Sequence, residues 1–307
     1  MPNAEGAFLT YETAIRKEDV SELISNVSIR KTPFVSSIGM GSASNTLHEI
    51  LTDEYASAAD NAQLEGSDPT YPTLSDPSRV KNITQILSRP LQLSWSKINS
   101  AHYGMSDNFA YQKVKQTVAL KKDLELAALF GTQASGTGTA ARRMNGLVAC
   151  ISSYKDGSSY SGVALSATIF NAVAAALWNQ SEENGGALLV GSFQKRRISE
   201  NFSSFDSSNR RNISAGDRTV EIPIDTIHSD FGTFEVLPSH DMQTVIPSAV
   251  IAYKPEFHKI AYLTNSQPQA VEYPPTGKAR KGEVWTECTL ECSNEKTSGM
   301  ILNLATA

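Results

Sequence analysis

The residue types that most often carry out chemistry are scattered along this 307-residue chain. No two histidines have the His-x-x-x-His spacing that places metal ligands on one helix face. No Gly-x-Ser-x-Gly elbow presents a serine nucleophile, and no cysteine has an obvious base near it in the sequence. The histidines are His48, His102, His228, His240 and His258. We therefore predict no catalytic residue, no metal site and no cofactor, and a protein that is not an enzyme.

Two short motifs imitate nucleotide-binding signatures. Residues 136–141, Gly-Thr-Gly-Thr-Ala-Ala, contain the glycine spacing of a phosphate loop, but such a loop must follow a strand and open a helix. Here the glycines follow a predicted helix, which favours a connector. Asp230-Phe231-Gly232 matches a kinase triplet without the other kinase loops, so we predict a hairpin turn.

The three cysteines favour free thiols. Cys288 and Cys292 lie in an alternating run that predicts a strand, where four residues span about 13 Å. A disulfide requires Cα atoms within about 7 Å, so these two cannot pair. Together with Cys150 they make an odd, sparse set, which is typical of a reducing compartment.

Charge and hydropathy exclude two classes of protein. Thirty-two acidic against 27 basic residues give a net charge of −5, the wrong sign for a protein that binds nucleic acid by neutralising phosphates. No apolar run approaches the roughly 20 residues of a membrane span, and residues 1–6 lack the basic region and the apolar stretch that are typical of a signal peptide. We expect neither membrane insertion nor secretion.

The most unusual segment is a long acidic loop between two predicted strands, Thr46–Thr52 and Val80–Trp95, the second interrupted by Pro90. No Lys or Arg occurs between Lys31 and Arg79. The acidic candidates in this loop are Asp53, Glu54, Asp60, Glu65, Asp68 and Asp76. Connections this long are uncommon in compact domains unless they are functional or disordered, so the loop needs a partner in order to be ordered.

The strongest predicted helix covers Ser106–Phe130. Ser106 or Asp107 can cap it, and Gly131 ends it. Its predicted apolar stripe comprises Val114, Thr117, Val118, Leu124, Ala127 and Ala128. Its basic surface comprises Lys113, Lys115, Lys121 and Lys122.

The remaining pattern mixes helices and strands without βαβ alternation, which predicts an α+β fold. A helix capped by Ser166 is predicted to bury a stripe that includes Trp178. The predicted helices are 16–27, 167–180 and 193–202, with a loop over 29–44. The predicted strands are 187–190, 220–227, 233–237, 250–253 and 285–291.

Several short motifs along the chain are weak signals one by one, but their order and spacing together are specific for one family. The run Arg16-Lys17-Glu18-Asp19-Val20, with Thr32-Pro33-Phe34 and Ser36-Ser37-Ile38-Gly39, resembles the opening of the major head proteins of tailed bacteriophages, and most of all their SU10-like group. Further matching stretches are 190–198, 229–233, 253–256 and 287–294. The resemblance covers about residues 11–304.

This resemblance implies the Hong Kong 97-like capsid fold. The implied parts are an N-terminal arm (1–45), an extended two-stranded loop (46–97), a peripheral domain with a spine helix (98–150), an axial domain (151–243) and returning strands (244–307). The implied function is self-assembly into hexamers and pentamers of an icosahedral head around double-stranded DNA. The implied partners are a portal, a scaffold and a cement or decoration protein.

Two departures qualify what the resemblance implies. The match starts within about ten residues of Met1, so we expect any scaffold to be a separate protein. Some relatives cross-link covalently through a lysine of the extended loop, but no lysine lies between Lys31 and Lys81. That chemistry is therefore in doubt here, and we expect non-covalent contacts to hold the shell.

We expect the loop carboxylates to meet basic groups of a neighbouring subunit, namely Lys113, Lys115, Lys121 and Lys122, or Arg142 and Arg143. The alternative for the acidic loop is that it is solvated and has no partner. The alternative for basic groups such as Arg142 and Arg143 is contact with phosphate. An encapsulin-type compartment is the alternative within the same fold. An undetected hydrolase is the alternative of another class, and a monomer that binds a small ligand would favour it.

Overall fold

A computed structural model describes residues 31–69, 71, 73–74, 76–100, 107–203 and 225–306. The helices are α1 (Pro33–Ser37), α2 (Trp95–Asn99), α3 (Asn108–Phe130), α4 (Leu147–Cys150), α5 (Ala167–Ser181), α6 (Ser192–Ser203) and α7 (His240–Val245), with 3-10 turns at Pro255–Phe257 and Glu295–Thr297. The strands are β1 (Gly39–Ala43), β2 (Leu47–Thr52), β3 (Ser78–Ile83), β4 (Gln85–Ser94), β5 (Lys155–Asp156), β6 (Gly186–Val190), β7 (Thr226–Ser229), β8 (Gly232–Pro238), β9 (Val250–Tyr253), β10 (His258–Leu263), β11 (Gln269–Tyr273), β12 (Ala279–Cys292) and β13 (Gly299–Ile301). The predicted helix over 16–27 lies outside the described residues.

The first sheet is organised around the long strand β12. Its order is β1-β10-β12-β11, and β4 pairs with β12 on the opposite side. All its pairings are antiparallel except that of β1 with β10. Residues Phe34, Leu124, Leu129, Ile260 and Leu290 pack together in the largest buried cluster, which joins this sheet to α1 and α3.

The second sheet has the order β5-β13-β9-β6-β8-β7 and is covered by α5. The Ser166 side chain accepts a hydrogen bond from the Ile169 N–H and caps α5, as predicted. The predicted stripe is buried from Ile169 to Leu177. Trp178 is the exception, because 41% of it is exposed and it contacts Phe231 at the helix end.

The spine helix α3 ends at Phe130, as predicted, and begins at Asn108, directly after the predicted cap Asp107; the predicted start at Ser106 lies outside the described residues. Asp107 Oδ1 accepts hydrogen bonds from the Phe109 and Ala110 N–H groups at 2.8 and 3.1 Å, and Gly131 terminates the helix. Its buried side is made by Phe109, Leu120, Leu124, Glu125, Ala128 and Leu129.

The predicted stripe of α3 is therefore wrong at its N-terminal half. Val114 and Val118 are 65% and 42% exposed. Val118 precedes the buried Leu120 by two positions, which places it about 200° around the helix, on the opposite face. Residues two apart on a helix point to opposite sides and cannot both lie in one buried face. The spacing of apolar residues therefore predicted the wrong face for the N-terminal half of α3.

Two further corrections concern the segments next to the extended loop. The returning strand is broken at Thr84, whose N–H donates to the Thr46 carbonyl, and not at Pro90. Pro90 lies inside β4, an edge strand of this sheet, and edge strands tolerate a residue without an N–H. The loop predicted over 29–44 contains α1 and β1, because β1 finds a parallel partner in β10 that is distant in sequence.

Residues 33–43 are consequently built into the body of the subunit. Phe34 is completely buried, and its ring lies 5.2 Å from that of Tyr253 in an edge-to-face arrangement. Glu125 of α3, also completely buried, accepts hydrogen bonds from the Phe34 N–H at 2.9 Å and the Val35 N–H at 2.8 Å. These are N–H groups of the first turn of α1, where Thr32 supplies no side-chain cap.

The predicted hairpin turn at Asp230 and Phe231 is confirmed, with β7 and β8 as its described arms. Gly232 has a φ of 113°, and a Cβ there would lie 2.5 Å from the Gly185 nitrogen. The arm predicted over 220–227 is described only from residue 225. Residues 136–141 connect α3 to the following segment, with Ala134 and Arg143 forming an isolated bridge, and they open no helix.

Candidate subunit-interface surfaces

The extended loop is a two-stranded sheet that pairs with no other strand in the described parts of the chain. Strand β2 pairs with β3 from Leu47–Ile83 to Thr52–Ser78, and residues 53–77 connect them. Isolated hairpins are marginally stable in water. All six acidic candidates of the loop, Asp53, Glu54, Asp60, Glu65, Asp68 and Asp76, are exposed.

The loop also exposes large apolar side chains that the sequence analysis did not single out. Tyr55 and Tyr71 are fully or nearly fully exposed, as are Leu64 and Leu74. Several large exposed apolar side chains on one loop favour a surface that interacts with another molecule. The available sequence signal was the presence of aromatic and leucine residues inside an acidic, proline-containing loop that has no periodic pattern.

The basic candidates Lys113 and Arg142 have partners inside their own subunit. Lys113 Nζ lies 2.7 Å from a carboxylate oxygen of Glu272, which Arg280 also contacts at 2.8 Å. Hydrogen bonds from Lys113 and Arg280 lower the pKa of Glu272. Arg142 contacts Glu287 at 2.8 Å. These pairs join α3 to β11 and the segment after α3 to β12, which gives Lys113 and Arg142 structural roles.

Among the acidic candidates, Glu54 pairs with Lys296 beyond the end of β12. No ion pair among the described residues joins an acidic candidate to a basic candidate of the same chain. Lys115, Lys121 and Arg143 are exposed, on the outer side of α3 and just after it, and Lys122 is half-buried. The expected contact between the loop and the spine helix of a neighbour therefore stays a prediction.

A cleft of about 1200 Å³, the loop cleft, separates the base of the extended loop from the body of the subunit. Its walls come from β2, β3, the end of α4, the end of α5 and the turn after β12. Cys150 and Cys292 both line it. The residues that line the cleft include both polar and apolar side chains.

Neither a metal cluster nor a membrane segment is present in the described ranges. No three His, Cys, Asp or Glu side chains of residues 31–69, 76–100, 107–203 and 225–306 are grouped to hold a metal ion. Over the same ranges, no helix combines the length and the apolar character that a bilayer crossing requires.

Comparison of the sequence with known proteins gives two matches of different extent. The chain matches the SU10 major capsid protein family over residues 4–305. It is 33% identical over 125 residues to the major capsid protein of Escherichia phage Phieco32, an alignment that covers 40% of this chain and 36% of that protein. The match thus spans about a third of the length of that curated relative.

Comparison of the structures extends over nearly the whole chain. The capsid of the native GTA particle has a TM-score of 0.66 at 13% identity and covers 98% of both chains. A chain of Gordonia phage Cozz has a TM-score of 0.62 at 14% identity, covering all of this chain and 98% of the other. The holo-SrpI encapsulin of Synechococcus elongatus has a TM-score of 0.62 at 9% identity, covering 96% and 98%.

The structural likenesses establish the Hong Kong 97-like fold, which phage capsids and an encapsulin share. The fold alone does not identify the family, because proteins of different sequence share it. The family match, which spans all but a few residues, identifies the family to which this chain belongs. The α+β class and the resemblance inferred from the short motifs are both confirmed. This chain belongs to the SU10 major capsid protein family, a group of structural proteins of the tailed-phage virion.

Proposed function

We propose that this chain builds an icosahedral phage head by self-association into hexamers and pentamers. The observation that carries the proposal is the uncovered extended loop, a hairpin with exposed Tyr55, Leu64, Tyr71 and Leu74 that has no second layer within its own subunit. A hairpin without a second layer is marginally stable in water, and large exposed apolar side chains on it favour cover by another molecule. A neighbouring copy supplies that cover at every position of a closed lattice.

The charges of the subunit support the same arrangement. The loop carries exposed carboxylates, and the outer face of α3 carries the exposed amines of Lys115 and Lys121. Val114 and Val118 are exposed close to these lysines, so the face combines apolar and basic groups. A partly exposed ion pair contributes at most about 1 kcal/mol, but the contact is repeated at every subunit of the shell.

The capsid role implies further partner proteins. We place a portal, a separate scaffold and a cement or decoration protein around this shell, with assembly in the host cytoplasm and double-stranded DNA held without specific contacts. The net charge of −5 supports a shell that encloses DNA without binding it tightly. The role is structural, and we assign no enzymatic reaction to this chain.

A second candidate is an encapsulin-type compartment, favoured by the likeness to the SrpI shell. That likeness has 9% identity and concerns the fold, whereas the sequence match is to a phage capsid family. The contents of particles purified from infected or lysogenic cells distinguish the two: DNA supports the phage head, and a cargo enzyme supports the compartment.

The direct test is electron microscopy of the overexpressed protein together with its mass by size-exclusion chromatography. We expect closed shells or capsomer-sized rings. If the protein is a monomer, it should be co-expressed with the genes next to its own, because a separate scaffold would then be required. A monomer under both conditions would contradict the shell function.

A further inference from the structure

One row of side chains on the spine helix is covered along only part of its length. Val114, Val118, Lys121 and Glu125 are four, three and four positions apart, which places them within about 60° of one another around α3. Glu125 is completely buried, whereas Val114 and Val118 are 65% and 42% exposed. We call these four residues the spine row.

The covered end of the spine row lies against α1. Glu125 accepts hydrogen bonds from the N–H groups of Phe34 and Val35, and Phe34 packs in one buried cluster with Leu129, a turn further along α3. The chain that precedes α1 therefore leaves the body of the subunit beside Glu125. It leaves next to the part of the spine row that no described element covers.

The residues directly before α1 have the pattern that such a row requires. Residues 1–30 lie outside the described ranges, but within them the sequence predicts a helix over 16–27. Its acidic residues Glu18 and Glu22 fall on the side opposite to its apolar face. The apolar residues recur at the spacing of one helix face and are Val20, Leu23, Ile24 and Val27.

The length of the chain allows this segment to reach the spine row of its own subunit. Val27 precedes Phe34 by seven positions, and an extended chain of that length spans about 24 Å. Along α3, Val118 lies about 10 Å and Val114 about 16 Å from Glu125. A short tether also gives a local concentration in roughly the millimolar range, which favours the chain's own segment over a separate molecule.

The extended loop lacks the pattern that would fit this row. Its large apolar residues are irregularly spaced, and glycine and proline lie between them, so they form no helix face. These residues are Tyr55, Leu64, Tyr71 and Leu74.

We propose that residues 16–27 of the same chain form a helix whose apolar face packs on the spine row and extends the cover that α1 begins. Val114 and Val118 are then buried, and the stem of Lys121 lies along the segment with its amine in water. Lys115 lies about 80° around α3 from Glu125, to the side of the row, and stays available to the acidic loop of a neighbouring subunit. The contact fixes the path of the N-terminal arm along the spine helix.

The test places a photoreactive side chain in the spine row of the full-length protein. In Val118→p-benzoylphenylalanine, irradiation should join residues 116–121 to residues 18–30, which are both tryptic peptides, within a single chain. The matched control is the same substitution at Leu126, which is 44% exposed but lies about 100° around α3 from Glu125. We expect no cross-link to residues 18–30 from that position.

Two variants of the segment distinguish its apolar face from its acidic side. Leu23→Ser with Ile24→Ser removes apolar contact area and should lower the yield of the cross-link roughly fivefold or more. Glu18→Gln with Glu22→Gln changes only the outward side and should leave the yield unchanged.

A second measurement requires no photoreactive group. Amide hydrogen exchange of residues 20–27 should be slow in the wild-type protein and roughly tenfold or more faster in Val118→Asp, because a carboxylate would lie against the apolar face. Leu126→Asp should leave this exchange unchanged.

Three cross-linking results would overturn the proposal. These are a Val118 probe that reacts with no part of the protein, a cross-link to the loop peptide 32–79, and a cross-link between two chains, which doubles the mass in denaturing electrophoresis. Rapid exchange of residues 20–27 in the wild-type protein would also contradict it. Neither measurement requires shell formation, so failure here is distinguishable from failure of the capsid function.

Discussion

Glu125 of the spine helix holds the first turn of α1 by accepting the Phe34 N–H at 2.9 Å. The second carboxylate oxygen accepts the Val35 N–H, so one buried acid performs the capping that Thr32 does not. Through this contact the spine helix fixes the point where the chain enters the body of the subunit. Burial, partly offset by these two hydrogen bonds, raises the pKa of Glu125 to about 7.

The raised pKa predicts a pH-dependent stability. The folded state binds a proton at Glu125 between about pH 4.5 and 7 where the unfolded chain does not, so this contribution is present at low pH and is lost as the pH rises through 7. At about 1.4 kcal/mol per unit of pKa, the loss between pH 5 and 8 is at most roughly 3 kcal/mol. Urea unfolding of the wild-type protein and of Glu125→Gln should show a shallower pH profile for the variant. Parallel profiles would contradict this role.

Arg142 and Arg143 are adjacent, yet the structure predicts opposite effects for their replacement. Arg142→Met leaves the buried Glu287 carboxylate without its guanidinium partner and should lower the free energy of unfolding by roughly 2 kcal/mol. Arg143→Met changes an exposed side chain and should alter it by less than about 0.5 kcal/mol. Equal losses in denaturant titrations would show that the Arg142–Glu287 pair is not stabilising.

The β7–β8 turn requires glycine at position 232. Gly232→Ala would place a Cβ 2.5 Å from the Gly185 nitrogen at a positive φ and should cost at least about 3 kcal/mol. Gly162 is the matched control, since its φ is also positive (73°) but no atom lies within 4 Å of its Cβ position. Gly162→Ala should cost only about 1 kcal/mol, the conformational penalty alone. Thermal unfolding measures both, and similar losses would exclude the close approach as the cause.

The apolar residues of the extended loop should matter for assembly and not for folding. Replacing Tyr55 and Leu64 by serine removes no intramolecular packing, because both side chains are exposed. The free subunit should therefore unfold at the wild-type urea concentration, while the yield of shells in electron micrographs should fall several-fold. Normal shell yield would contradict the assignment of the loop to a subunit interface.

Charge reversal tests the electrostatic part of the interface. Asp60→Lys with Glu65→Lys should weaken shells most at low salt, where charge interactions are least screened. We choose these two carboxylates because Glu54 already pairs with Lys296 in its own subunit. The neutral control, Asp60→Asn with Glu65→Gln, should have a smaller effect.

The complementary reversal identifies the partner of those carboxylates. Adding Lys115→Glu and Lys121→Glu to the double-lysine variant should restore shells if the loop meets the spine helix of a neighbour. Assembly and heat resistance equal to wild type in the original reversal would mean that the acidic loop is simply solvated.

Local physics determined the elements that the sequence predicted correctly. The Asp107 cap and Gly131 bound α3, the Ser166 cap starts α5, and the turn at Asp230–Phe231 is set by residues within a few positions of one another. The acidic, proline-containing composition of the extended loop likewise indicated a segment that requires a partner. The order of the short motifs was enough to indicate the family.

Long-range pairing decided the rest. Strand β1 exists because β10 lies beside it, the buried face of α3 is selected by the sheet it packs on, and Pro90 is tolerated because β4 is an edge. From the sequence, Lys113 and Arg142 were predicted to pair with a neighbouring subunit. In the fold, Glu272 and Glu287 from strands distant in sequence form ion pairs with them instead. His258 and Cys292 are 34 positions apart and meet only through the antiparallel register of β10 and β12, so the expectation that no cysteine has a base nearby considered sequence neighbours alone.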